Sequence, residues 1–222
     1  MIRAVIFDMD GTVFDTEKIY YASLAHVAKD TPLAGELDEV LLAISGMNRA
    51  DIYAYLRRRY GEDFPAEVLF DARDELVLAR IRREGLPFKP GFPQIFDDLK
   101  AAGYRVALAT STHRARMEWY LSMTGLKTTF DRIMTGESVE HSKPAPDIFL
   151  QCAEAMGLSP TECVVVEDSR NGVLAGVNAG MRVVMIPDMQ RATPDLKEVL
   201  WHCLEEVTPL TALIQQENQK IR

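Results

Sequence analysis

The sequence predicts an open α/β fold, a parallel sheet core into which an all-helical subdomain is inserted. Three observations predict it. Short apolar runs at Ala4–Phe7, Val106–Ala109, Val164–Val166 and Val183–Ile186, with a weaker one at Ile133–Met134, are continuous rather than alternating. That is the pattern of strands buried on both faces of a parallel sheet. Between the later runs lie segments with helical spacing and helix punctuation, so strand and helix alternate. From about Thr16 to Glu84 the pattern is helical throughout, with no strand-like run.

Taken in order, the first run ends in Asp8-Met9-Asp10-Gly11-Thr12 and leads into the helical stretch. There, Asn48-Arg49-Ala50-Asp51 opens a helix with an N-cap and an acid three residues on. Ile52, Tyr55 and Leu56 supply its apolar face, and Tyr60-Gly61 ends it. A later helix runs from Pro65 towards Gly85, with Val68, Leu69, Leu76 and Ile81 expected inward and Arg80, Arg82 and Arg83 near its C-terminus. The connecting hinges are expected at Phe14–Glu17 and Gly85–Gly91, which divides the chain into a core, 1–15 with 85–222, and an insert, 16–84. Phe92–Ala102 carries Ile95, Phe96 and Leu99 on one face and stops at Gly103. Pro146–Met156 has proline near its start and Gly157 past its end. Asn171–Ala179 ends at Gly180. The tail after Pro194 reads as one or two short helices, with Gln215–Arg222 polar enough to fray.

Composition narrows the functional classes. The 222 residues are 47% hydrophobic, enough to bury a core and to exclude a disordered chain. The net charge of −8 argues against a surface that holds nucleic acid by neutralising phosphates, and the Arg57–Arg59 run is read as a solvated helix face. No run approaches the roughly 20 apolar residues of a membrane helix, so no membrane partner is expected. The start MIRAVIFDMDG is too short in its apolar stretch for a signal peptide. Three cysteines, Cys152, Cys163 and Cys203, are odd in number and lack metal spacing, which points to reduced thiols and a cytoplasmic protein. Cys163 opens an apolar run and is read as a buried small hydrophobe.

In an open α/β sheet, ligands collect at the C-terminal ends of the strands. The residues delivered there are Asp8 and Asp10 after the first run, Thr110-Ser111-Thr112 after the second, and Glu167-Asp168 after Val164–Val166; Lys143 precedes a later helix. Any one of these suits a turn or an N-cap; all of them together on one rim do not. At an effective dielectric constant of ~20, two bare carboxylates 4 Å apart repel by roughly 4 kcal/mol. Four converging acids, Asp8, Asp10, Glu167 and Asp168, therefore call for protons or a cation. Hard oxygen ligands with open positions suit Mg²⁺. Lys143 adds positive charge, and Thr110 with the backbone N–H groups of Ser111 and Thr112 offers an anion cradle. These are the parts of a phosphoryl site. No Gly-rich loop precedes a Lys-Ser/Thr pair, so nucleotide hydrolysis of the P-loop type is unsupported. The available nucleophile is a carboxylate, for which an aspartyl phosphate is an established kind of covalent intermediate. Asp8 and Asp10, two apart on an extended chain, face one side, so one can attack while the other moves protons.

The stretches DMDGT at 8–12, ALATST at 107–112, KPAPDIF at 143–149 and VVVEDSRNGVLAGVNAG at 164–180 resemble the haloacid dehalogenase-type phosphohydrolases. They are most similar to the branch containing beta-phosphoglucomutase and small-metabolite phosphatases, in order and over nearly the whole chain. The resemblance implies a Rossmann-like core, with Asp8 as nucleophile, Asp10 as general acid/base, Thr110 and Lys143 on the phosphate, and Asp168 beside Glu167 on the metal. It implies that the Asp10 carbonyl ligates Mg²⁺ and that the insert is a helical cap closing over the substrate. It implies too that Arg49, in Gly46-Met47-Asn48-Arg49, approaches a second anionic group of the substrate, although capping of its own helix is the competing role. His113 is read as structural. The expected substrate is a small phosphorylated metabolite, a sugar or polyol phosphate.

Mutase and phosphatase share the core residues and differ in the insert. The mutase relies on a histidine shortly after the nucleophile loop and a lysine in the cap. Here no histidine precedes His26, and no lysine lies between Lys29 and Lys89. Arg73 supplies charge but not the same geometry. Hydrolysis is favoured over sugar-phosphate mutation. A phospho-receiver signalling module would be about half this length, without a cap, and would carry its acceptor on an interior strand. A dehalogenase would need neither a second acid at Asp10 nor a metal cluster.

Overall fold

A parallel sheet of valine, isoleucine and alanine needs a layer on each face, and the chain supplies both. The structure, a computed structural model, describes residues 1–126 and 129–220. Among these are six strands: β1 (Ala4–Phe7), β2 (Arg105–Thr110), β3 (Arg132–Thr135), β4 (Cys163–Glu167), β5 (Arg182–Met185) and β6 (His202–Cys203). They run parallel in the order β3-β2-β1-β4-β5-β6. This is the order of the doubly wound fold, with its switch point beside β1.

Ten α-helices accompany the strands among the described residues: α1 (Glu17–Val27), α2 (Leu37–Ile44), α3 (Arg49–Tyr60), α4 (Ala66–Glu84), α5 (Phe92–Ala101), α6 (Arg114–Thr124), α7 (Asp147–Ala155), α8 (Arg170–Asn178), α9 (Pro194–Val199) and α10 (Leu210–Lys220). Alternate strand residues enter opposite layers. Val5, Phe7, Val106, Leu108, Val164 and Val166 pack with Phe92, Phe96, Leu99, Tyr120 and Ile214 from α5, α6 and α10. Ala4, Ile6, Ala107, Ala109, Val165 and Val183 pack with Phe149, Cys152 and Val173 from α7 and α8. Each large apolar side chain so buried contributes ~1.5–3 kcal/mol.

The stretch between β1 and α5 is helical, with an apolar cluster of its own that includes Leu24, Leu33, Val40, Leu56 and Phe70. Its two connections run side by side: Asp15 N–H donates to the Pro87 carbonyl and Lys89 N–H to that of Val13, both at 2.9 Å. Asn48 caps α3, its Oδ1 accepting from Asp51 N–H at 2.9 Å. Of the Arg57–Arg59 run, Arg57 pairs with Glu67, and Arg59 with Glu36 and Glu39.

Two expectations need correction. On α4 the buried face is Phe70, Asp74, Val77 and Ile81 with Leu69, whereas Val68 is 69% and Leu76 39% exposed. The i, i+4, i+7, i+11 line of the helix passes through Asp74, and a charged residue at its centre disguised that line in the sequence. The tail holds β6 as well as α9 and α10; a two-residue edge strand has no apolar run to announce it. Helix α10 continues to Lys220, so the segment expected to fray is helical as far as it is described; residues 221 and 222 lie outside the described residues.

Candidate active site

At the end of β1 the chain reverses through Gly11, whose φ is 80°. A Cβ at that position would overlap the Asp168 carboxylate, so glycine permits both the turn and the approach of the β4 end to the β1 loop. The acids after β1 and after β4 thus become neighbours. Asp8, Glu167 and Asp168 are all buried and each offers an oxygen within 4.8 Å of the others.

Lys143, 1% exposed, lies among them. Its ammonium donates to Asp8 Oδ1 at 2.6 Å, to Glu167 Oε1 at 2.7 Å and to the Ala109 carbonyl at 3.2 Å. The other Glu167 oxygen, Oε2, accepts from Asp168 N–H, Ser169 N–H and Ser169 Oγ, each at 2.9 Å. Gly172 makes this possible, because a Cβ there would occupy the place of the Glu167 carboxylate. Glu167 is therefore committed to Lys143 and the start of α8. Asp168 and the second oxygen of Asp8 take no hydrogen bond from the described residues. Those two are the acids with oxygen left to give.

Asp10 stands apart from that group. Its Oδ1 accepts from the Thr16 hydroxyl at 2.6 Å and its Oδ2 from the Thr112 hydroxyl at 2.8 Å, while its main-chain carbonyl accepts no backbone hydrogen bond. The carboxyl group is thus held by two threonine hydroxyls, and a metal contact from Asp10 would come from the carbonyl. Thr110 is 1% exposed and its Oγ1 accepts from Thr112 N–H at 3.1 Å. The Ser111 hydroxyl donates to the Gly46 carbonyl at 2.6 Å, tying β2's end to the insert. Arg49 donates to Tyr53 Oη at 2.8 Å and to Asp71 at 3.0 Å, and also contacts Asp74. His113 sits half-exposed against Glu137.

Burial dominates the proton affinities. It pushes the Asp8 carboxyl up to about 7, against the Lys143 ammonium and with the help of Glu167 and Asp10. Burial, Glu167 and Glu17 hold Asp168 well above the ordinary carboxylate range. Lys143 is raised, the Asp8 and Glu167 charges outweighing burial. Such a cluster holds protons until a cation replaces them. Two buried carboxylates with open oxygens, a free carbonyl and no nitrogen or sulfur donor fit Mg²⁺.

The sequence reading expected Tyr20, Tyr21 and Arg49 to shape the pocket, and all three line it; it missed Glu17 and Arg116. Glu17, the first residue of α1, faces the same cavity, and burial with Asp10 and Asp188 nearby raises it to about 8. Tyr20 Oη lies 2.9 Å from Tyr120 Oη and accepts from Arg116 at 3.1 Å. Asp74, buried in the insert, gathers Arg49, Arg73 and Arg116. A mid-helix acid inside an otherwise apolar face was the available signal. The whole encloses about 840 Å³, walled by Asp8, Asp10, Thr110 and Asp168 from the core and Arg49, Ile44 and Arg73 from the insert.

The family model of haloacid dehalogenase-like hydrolases matches residues 5–186. The chain belongs to that family. Among its relatives, hexitol phosphatase B of Escherichia coli (strain K12) is 33% identical over 220 residues, covering 95% of each chain. Fructose-1-phosphate phosphatase YqaB of the same strain is 30% identical over 192 residues, 81% of this chain and 94% of that one. A variant of CbbY from Rhodobacter sphaeroides, solved in complex with xylulose-1,5-bisphosphate, superimposes with a TM-score of 0.77 at 25% identity, over 94% of this chain and 96% of that one. Like this haloacid dehalogenase-like hydrolase, each is matched over most of its length.

Proposed function

We propose that this hydrolase is a Mg²⁺-dependent phosphomonoesterase that moves a phosphoryl group from a small phosphorylated metabolite to Asp8 and then to water. The observation that carries the reading is Asp8 itself. One of its oxygens is pinned by Lys143 and the other has no partner among the described residues, at the wall of a cavity that Asp10 shares. The relatives named for hexitol and fructose-1-phosphate hydrolysis support a sugar or polyol phosphate as the substrate.

In the first step the free Asp8 oxygen attacks phosphorus, the ester P–O bond breaks, and Asp10 gives its proton to the leaving oxygen. In the second, Asp10, now a carboxylate, takes a proton from water as that water attacks the acyl phosphate. The bond from phosphorus to Asp8 breaks, releasing inorganic phosphate and restoring the Asp8 carboxylate. Thr16 and Thr112 orient Asp10 for both transfers. Lys143 offsets charge on Asp8 and the phosphoryl oxygens, with Thr110 and the Ser111 N–H on the same rim. Asp8, Asp168 and the Asp10 carbonyl would hold Mg²⁺, which would supply positive charge against the phosphoryl oxygens. Glu167 positions Lys143 and α8 for that set.

Residues 16–84 act as the cap. Asn171 on α8 donates to the Ser45 and Ala43 carbonyls at 2.7 and 3.1 Å, and Ser111 reaches Gly46, so the insert is held over the strand ends and excludes water. Tyr20 occupies the stretch where a mutase has its histidine, which supports hydrolysis. Free Cys152, Cys163 and Cys203 suit a reducing cytoplasmic compartment. The test is release of nitrophenol from p-nitrophenyl phosphate. Wild-type protein with Mg²⁺ is expected to turn over, and EDTA or Asp8→Asn to abolish turnover; activity untouched by either overturns the reading.

A further inference from the structure

Glu17 opens α1 immediately after Thr16, whose hydroxyl holds Asp10. An acid in a first helical turn ordinarily serves the helix N-terminus. This one does not: its carboxyl accepts no hydrogen bond and makes no ion pair with the described residues. Its stem turns back towards the β1 loop instead, where a Cβ on Gly11 would lie 3.0 Å from Glu17 Cγ. The carboxyl faces the cavity beside Asp8, Asp10, Tyr20 and Arg73. The neighbouring acids are engaged elsewhere: Asp10 by two threonines, Asp8 and Glu167 by Lys143, and Asp188 by Lys89 at 3.1 Å. Asp168 and the second oxygen of Asp8 are the other open acceptors among the described residues, and both lie within the metal-type cluster.

We infer that Glu17 is a specificity residue, accepting a hydrogen bond from a hydroxyl of the leaving group close to the scissile ester. The assignment rests on the phosphomonoesterase reading and deepens it. Ionised, the carboxyl repels a phosphate or carboxylate; protonated, it still presents a carbonyl oxygen, so a hydroxyl is the partner it accepts from in either state. Arg49, Arg73 and Arg116 on the same wall disfavour a cationic leaving group. A neutral hydroxyl is the partner that satisfies both neighbours. Its proximity to Asp8 and Asp10 places that hydroxyl near the ester and not at the far end of the substrate.

The experiment compares two alkyl phosphates of equal chain length: glycerol 1-phosphate, with a hydroxyl on the carbon next to the ester carbon, and n-propyl phosphate, with none. The readout is the ratio of their kcat/KM values in Mg²⁺-loaded wild-type, Glu17→Ala and Glu17→Gln proteins. Because both esters are measured on one preparation, partial unfolding cancels. A hydrogen bond of this kind predicts that Glu17→Ala lowers the glycerol-to-propyl ratio by roughly 10- to 100-fold, and that Glu17→Gln, which keeps an acceptor oxygen, restores most of it. A ratio unchanged in Glu17→Ala overturns the assignment, whether both activities fall together or neither does. So does a wild-type preference for phosphoethanolamine over glycerol 1-phosphate. Wild-type protein that hydrolyses none of these esters, nor p-nitrophenyl phosphate, overturns the phosphatase reading and this assignment with it.

Discussion

Lys143 is the residue on which the charge balance of the site turns. Its ammonium is buried between Asp8 and Glu167, and each carboxylate depends on it in place of the water both have lost. Removing one partner of a buried ion pair leaves the other uncompensated. Lys143→Met is expected to destabilise metal-free protein by about 3–5 kcal/mol in urea unfolding; a change below about 1 kcal/mol contradicts the balance described. The same burial sets a pH dependence. Asp8 rises to about 7 and Glu17 to about 8 from ordinary values of 3.8 and 4.5. Between the lower and upper values the folded chain keeps protons that the unfolded chain has released, so the stability these protons give is full below the lower values and lost as pH rises through the upper ones. On the proposed reading Mg²⁺ competes with those protons and binds the folded state. Melting in EDTA should therefore fall from about pH 5 to about pH 8, with the gain in Tm on adding Mg²⁺ larger at the higher pH. An equal gain at both contradicts it. Asp8, Asp10 and Asp168 could be read from the sequence because each follows an apolar run, and Lys143 because it stands just before a helix with proline near its start. Glu17 could not, since a first-turn acid looks the same whether it serves its helix or faces a cavity.

Elements bring these residues together through close approaches that only glycine allows. Helix α8 starts against Glu167 with Gly172 in its first turn, and its Ser169 cap both accepts from Gly172 N–H and donates to Glu167. Gly172→Ala must displace the carboxylate or the helix. It is expected to cost about 1–3 kcal/mol and to weaken Mg²⁺ binding, measured by calorimetry. Unchanged metal affinity would show that α8 does not position the cluster. The helices that the sequence placed well, α5, α7 and α8, carry stop signals and one-sided apolar faces. Helix α4 was placed well in extent but not in phase, since buried Asp74 interrupts the face that Phe70, Val77 and Ile81 define. That acid gathers Arg49, Arg73 and Arg116, a contact between distant segments that no local pattern encodes.

At the scale of the whole molecule, the sheet order puts β1 between β2 and β4, so the first motif of the chain meets residues from its middle and its last third at one rim. The insert leaves from that rim and returns to it through two paired segments, Val13–Asp15 against Pro87–Lys89. The candidate site and the insert are thus anchored at the same place. The central claim is that Asp8 carries the phosphoryl group between ester and water. Its most direct test is rapid-quench peptide mass spectrometry of Mg²⁺-loaded protein mixed with p-nitrophenyl phosphate. A transient, hydroxylamine-sensitive phosphoryl adduct on the peptide holding Asp8, formed and lost within the time of one turnover, is the predicted result. Turnover with no adduct at any quench time, or with the adduct on another residue, contradicts it.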